Sequence, residues 1–96
     1  MKTFINQKPK DMYSVILLSD VLSFFGMSLE SLKRAYSMQY VKCASVPELV
    51  TSYGVFQDVL TIDTQSLKDV IGNQNMLNFK LKYWTYAVED AQFFHI

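Results

Sequence analysis

Between Met12 and Met27 the chain is apolar almost all round, and this stretch constrains the fold more than any other. Met12, Val15, Ile16, Leu22 and Phe25 recur at helical spacing, while Leu17, Leu18, Val21 and Phe24 fill the remaining faces. A helix with no polar face belongs at the centre of a core. The pattern therefore predicts a central helix from Asp11 to Phe25, ended by Gly26, a residue that takes the left-handed conformation of a helix C-terminus without penalty. The stretch is too short to span a bilayer, and Ser14, Ser19, Asp20 and Ser23 interrupt it.

The signals downstream also read as helices. Ser28 offers an N-cap to a segment in which Leu29, Leu32, Tyr36 and Tyr40 share one face. Ser45 and Glu48 have capping-box spacing with Pro47 in the first turn, which predicts a helix running to Tyr53 before Gly54. Val59, Leu60 and Ile62 fit a short helix or a strand, and the helix is preferred. Asp63 or Thr64 caps a helix carrying Leu67, Val70 and Ile71 that stops at Gly72, with Asn73, Gln74 and Asn75 as a turn. In the last segment Leu77, Leu81, Trp84, Val88 and Ala91 have helical spacing, whereas Phe79, Leu81 and Tyr83 alternate as a strand would. Length favours the helix.

The expected architecture is a mainly α single domain over residues 1–96, a compact bundle of five or six short helices with residues 1–10 as a loose arm. An echo at an offset of 28, Asp20–Met27 against Glu48–Val55, raises a variant with two stacked helix-turn-helix hairpins. A paired C-terminal strand or hairpin would make the fold α+β instead.

With half of its 96 residues hydrophobic and 15% aromatic, the chain is not of the disordered class. Nine basic residues balance nine acidic ones, which removes the global field that draws proteins to nucleic acid or anionic membranes. Residues 1–48 carry a net +2 and residues 49–96 a net −2, so basic surface belongs to the first half. Cys43 is the only cysteine, which excludes an internal disulfide and points to a reducing compartment. A signal peptide fits badly, because Asn6–Asp11 delays the apolar stretch and Asp20 lies within it. The expected location is the cytoplasm, that of the host cell if the protein is viral.

No catalytic or metal-binding constellation stands out, and neither an enzyme nor a cofactor is expected. His95, the only histidine, is next to the last residue, Cys43 reads as a small buried hydrophobe, and Glu89 and Asp90 are adjacent and so diverge. Gly26, Gly54 and Gly72 are isolated, whereas phosphate cradles use clustered glycines before a helix.

Two patterns carry functional expectations. The run Leu18-Ser-Asp-Val-Leu-Ser-Phe-Phe-Gly26-Met-Ser-Leu-Glu-Ser-Leu32-Lys-Arg-Ala-Tyr36 resembles the helix-turn-helix of the Cro and phage-repressor class in its turn glycine and in Leu32 and Tyr36. That resemblance implies a second helix from Ser28 to about Tyr40 in the DNA major groove, presenting Ser28, Glu30, Lys33, Arg34 and Ser37 to bases or phosphates. It departs at Leu22, where the family has a small residue, and an ordinary αα-hairpin would carry the same signature. The second pattern is aromatic. Phe79, Tyr83, Trp84 and Tyr86, with Lys80 and Lys82, would stack bases if strand-borne, but such sets more often serve core and interface. The preferred expectation is a protein–protein interaction module, such as a small phage or mobile-element accessory protein. It would bind a partner or a second copy of itself through Tyr83, Trp84, Tyr86, Phe93 and Phe94. A DNA-binding regulator is the alternative.

Overall fold

The structure, a computed structural model, describes residues 12–89 and 91–95. The expected N-terminal arm, residues 1–10, lies outside them. The elements are β1 (Met12–Leu17), α1 (Leu18–Phe25), α2 (Leu29–Ala35), a 3-10 turn (Met38–Tyr40), β2 (Lys42–Thr51), β3 (Gly54–Asp63), α3 (Thr64–Ile71), α4 (Asn73–Lys82), β4 (Tyr86–Glu89) and β5 (Phe94–His95). The strands form one antiparallel sheet in the order β4-β1-β3-β2-β5. The expected all-helical bundle is therefore wrong, and the fold is α+β. Strands β1 to β4 form the split βαβ arrangement in which two crossover units interleave. Each crossover here is a pair of short helices.

The central apolar stretch is half strand and half helix. Val15, Ile16 and Leu17 are all buried because β1 is an inner strand with both faces covered, so it lacks the polar alternation that marks a strand in sequence. Ile16 joins Cys43 and Ile62 on the helix-bearing face, packed with Val21, Leu32, Leu67, Met76 and Phe79. Val15 and Leu17 point the other way and pack with Val46, Leu49 and Val88.

Ser45, Pro47 and Glu48, expected to start a helix, lie within β2. A capping box stabilises a helix by about 1 kcal/mol, whereas the β2–β3 pairing runs from Cys43↔Ile62 to Thr51↔Gly54 and buries Cys43, Ala44, Val46 and Leu49. Tertiary pairing wins. With Glu48–Val55 in a β-hairpin and Asp20–Met27 in a helix and its turn, the offset-28 echo has no structural counterpart. Asn73–Asn75, expected as a turn, open α4, and the last segment divides into α4 and β4.

Several local signals act as read. Gly26 ends α1 with φ 65° and ψ 35°, the Ser28 hydroxyl accepts from the Ser31 N–H, and the Asp63 carboxylate accepts from the Ser66 N–H at 3.0 Å to cap α3. The Ser66 hydroxyl accepts from the Lys42 N–H at 3.0 Å, tying that cap to the start of β2. Inside the sheet, the wholly buried Thr61 hydroxyl donates to the Ala44 carbonyl at 2.9 Å.

Two features shape the outer face. In the β2–β3 register Val46 pairs with Val59 and Glu48 with Gln57, so Pro47 and Asp58 stand opposite each other. Pro47 has no N–H, and Asp58 takes φ 52°, the sole positive φ outside glycine among the described residues. Val46 and Leu49, three apart, enter the same cluster, so the hairpin kinks between them. The second feature is curvature. β1 and β3 stand between β2 and β4 in the sheet, yet Val46, Leu49 and Val50 of β2 line one concavity with Tyr86 and Val88 of β4, and Val46 and Val88 belong to one buried cluster, so the sheet curls toward this face.

Candidate docking cleft

Curl and kink together bring three distant pieces of chain to one place. The end of β1 and start of α1 supply Leu17, Ser19 and Asp20, the distal hairpin supplies Tyr53, Phe56 and Val59, and the passage from α4 to β4 supplies Lys82, Tyr83, Trp84 and Tyr86. They enclose a cleft of about 380 Å³. Tyr53 is 82% exposed, Trp84 63% and Phe56 41%, values that spend large apolar area on solvent around a single concavity. Leu77 and Leu81, four residues apart, add an exposed apolar face to α4, whose C-terminal end is one wall of the cleft.

The walls are anchored differently. The Tyr83 ring stacks on the wholly buried Phe79 at 5.0 Å, and Phe24 meets Phe79 edge-on at 5.5 Å. Phe24 also meets Phe25 at 5.0 Å, and Phe25 meets Tyr36 at 5.3 Å, so an aromatic chain runs from the α1–α2 hairpin to the cleft. Tyr53, by contrast, sits in the hairpin turn, where its N–H donates to the Thr51 hydroxyl at 3.1 Å and Gly54 takes φ 133°.

Asp20 is the carboxylate of the cleft, carried in the first turn of α1 where the helix dipole favours negative charge. Burial pushes its carboxyl above the usual value. The Tyr86 phenol is pushed up as well, by burial first and then by the charges of Asp20 and Tyr53, which line the same cleft.

Of the residues expected at an interface, Tyr83, Trp84 and Tyr86 converge here. Phe93 and Phe94 do not. Phe93 packs edge-on against Tyr13 at 4.9 Å on the outer face of the sheet, and Phe94 lies in β5, paired with Cys43. Asp20, Tyr53 and Phe56 were not anticipated. For Phe56 the available signal was the β-branched and aromatic content of Val55–Ile62, which favours a strand; nothing local distinguishes Asp20 or Tyr53.

The expected DNA-reading residues lie elsewhere. Ser28, Glu30, Lys33, Arg34 and Ser37 are all exposed, with Glu30 and Arg34 on the side of α2 opposite the buried Leu32 and Lys33 on its flank. The helix ends at Ala35 rather than near Tyr40, leaving Ser37 outside it. His95 is exposed at the sheet edge, whereas Cys43 is wholly buried with its thiol pushed up to about 11, chiefly by burial and against an opposing pull from Lys33. Among the described residues no group of His, Cys, Asp and Glu has the geometry to hold a metal ion, and no helix is long and apolar enough to cross a membrane. Comparison with known protein families, with curated proteins and with solved structures found no match.

Proposed function

We propose that this chain is a non-enzymatic protein-interaction module that seats a partner protein on the aromatic cleft. The observation carrying the reading is the convergence of exposed Tyr53, Phe56 and Trp84 from separate parts of the chain around one concavity. Aromatic side chains supply large contact area with few rotatable bonds, and they dominate the energetic centres of interfaces. The exposed Leu77 and Leu81 of α4, the helix whose end reaches the cleft, add apolar area that a partner could cover.

The test compares the wild-type protein with a Tyr53→Ser/Trp84→Ser variant as affinity baits, after thermal melts establish that both are folded. A protein retained by the wild type and lost from the variant, then reconstituted as a pure complex, is the expected result. Equal retention by both baits would sink the reading.

A second reading, DNA docking through α2, is favoured by the left-handed Gly26 turn and by the exposure of Glu30, Lys33 and Arg34 on one side of α2. Its signature is a steep salt dependence, because phosphate contacts release counterions. Retention of random duplex DNA at low salt, lost in Lys33→Ala/Arg34→Ala, would move the assignment to α2.

A further inference from the structure

The cleft combines aromatic walls with one carboxylate, and that combination selects a particular occupant. We propose that it receives an arginine side chain of the partner protein, with the guanidinium lying against Trp84 and Tyr86 and paired with the Asp20 carboxylate. This rests on the reading of the cleft as the docking site.

Three observations support it. The cleft measures about 380 Å³, near the lower end of the range of about 300–1,000 Å³ for ligand pockets, which suits one long side chain rather than a folded segment. Its exposed walls are aromatic, and aromatic rings attract cations over their faces most strongly where water is displaced. Asp20 lines that space together with Trp84 and Tyr86 and is half-buried there, so its charge is partly desolvated beside the aromatic walls. Lys82 also lines the cleft and is exposed there, a charge that competes with an arriving cation. A guanidinium entering between the aromatic walls would gain the Asp20 carboxylate as its partner. Arginine is preferred to lysine because its planar guanidinium stacks on an aromatic face while its edge makes paired hydrogen bonds to a carboxylate, which a hydrated ammonium does not.

Trp84 is the only tryptophan, so its fluorescence reports on the cleft alone. The full chain is titrated with acetyl-Gly-Ser-X-Ser-Gly-amide peptides in which X is arginine, lysine, trimethyllysine, citrulline or leucine. A saturable change with the arginine peptide is expected, weakened at least about fivefold in the uncharged citrulline peptide and in Asp20→Asn, and weakened further as salt rises. Lys82→Ala, which removes a competing rim charge, is expected to tighten binding about twofold. Asp20→Asn is nearly isosteric, and a melt at the wild-type temperature or above confirms that it is folded. An equal response to citrulline or leucine, a stronger response to trimethyllysine, or no saturable change with arginine up to about 50 mM, a bound weaker than typical side-chain recognition, would each overturn the assignment. If the arginine peptide fails while the Tyr53→Ser/Trp84→Ser bait still loses its partner, docking on the cleft stands and the arginine assignment alone falls.

Discussion

Pro47 and Asp58 face each other halfway along the β2–β3 ladder, one without an N–H and the other with φ 52°. Their pairing bends the hairpin, and the bend carries Tyr53 and Phe56 to Trp84 and Tyr86. A residue with positive φ is strained unless it is glycine, asparagine or aspartate, and a β-branched side chain suffers most. Asp58→Val is expected to lower stability by about 1–2 kcal/mol, while Asp58→Asn and Asp58→Gly stay within about 0.5 kcal/mol of the wild type. Urea denaturation measures both, and a neutral Asp58→Val would contradict the kink as described.

Phe79 links the core to the cleft, since it is wholly buried and supports the Tyr83 ring. Phe79→Ala is expected to cost about 3–5 kcal/mol, with Phe79→Leu falling well short of that because more of the volume is refilled. Each change should also alter the Trp84 emission of the folded protein, because Tyr83 loses its stacking partner. Unchanged emission in a folded Phe79→Leu protein would mean that the cleft is independent of that support.

Removing the Thr61 hydroxyl tests the polar bond buried in the sheet. Thr61→Val keeps the shape and loses the donor to the Ala44 carbonyl, for an expected loss of about 1 kcal/mol. Ser14→Ala, which loses a longer and only partly buried bond to Thr64, should cost less. The order of the two in denaturant midpoints is the measurement.

Cys43 makes stability fall in alkali. Its folded thiol titrates at about 11 rather than 9.0. Between those values the unfolded chain has released its proton and the folded one has not. Protonation of the folded state is therefore an advantage below pH 9 that is lost as pH rises toward 11, with a limiting slope of about 1.4 kcal/mol per pH unit. Cys43→Ala should flatten that part of the profile. In the wild type a thiol reagent should modify Cys43 only at the rate of unfolding; rapid labelling at neutral pH would contradict its burial.

Asp20 has the opposite relation to stability. Its raised carboxyl means that the folded state disfavours the charge, so the ionised group costs stability above its folded pKa and nothing once pH falls well below its unfolded value. Asp20→Asn should raise the melting temperature at pH 7 and leave it unchanged near pH 3. The gain should be below about 1 kcal/mol, since the group is partly solvated. Loss of stability at pH 7 would show that the helix dipole outweighs burial.

How much was legible in the sequence follows from how local each signal is. Gly26, Ser28 and Asp63 terminate or cap their helices through bonds within a few residues, and those could be read directly. The strands could not. Val15–Leu17 is buried on both faces, which erases the period of two, and Ser45–Glu48 carries a helix-start signal that pairing with β3 overrides. Reading those segments as helices also hid the sheet that brings Asp20, Tyr53 and Phe56 to Trp84. Tyr83, Trp84 and Tyr86 were recoverable because they are close in sequence, while Phe93 and Phe94, equally aromatic, lie on the outer face and in β5 at the sheet's other edge.

The placement of Pro47 has a consequence beyond geometry. From Ala44 onward β2 has no partner strand on its outer side among the described residues, and an uncovered strand edge invites other chains to add to the sheet. A proline within that strand and the kink beside it bend the edge away from the flat, regular template that such an addition would need. The residue that shapes the cleft also guards the protein against fibrillar self-association, so a proline-free variant with a straight hairpin would be the one to watch for aggregation.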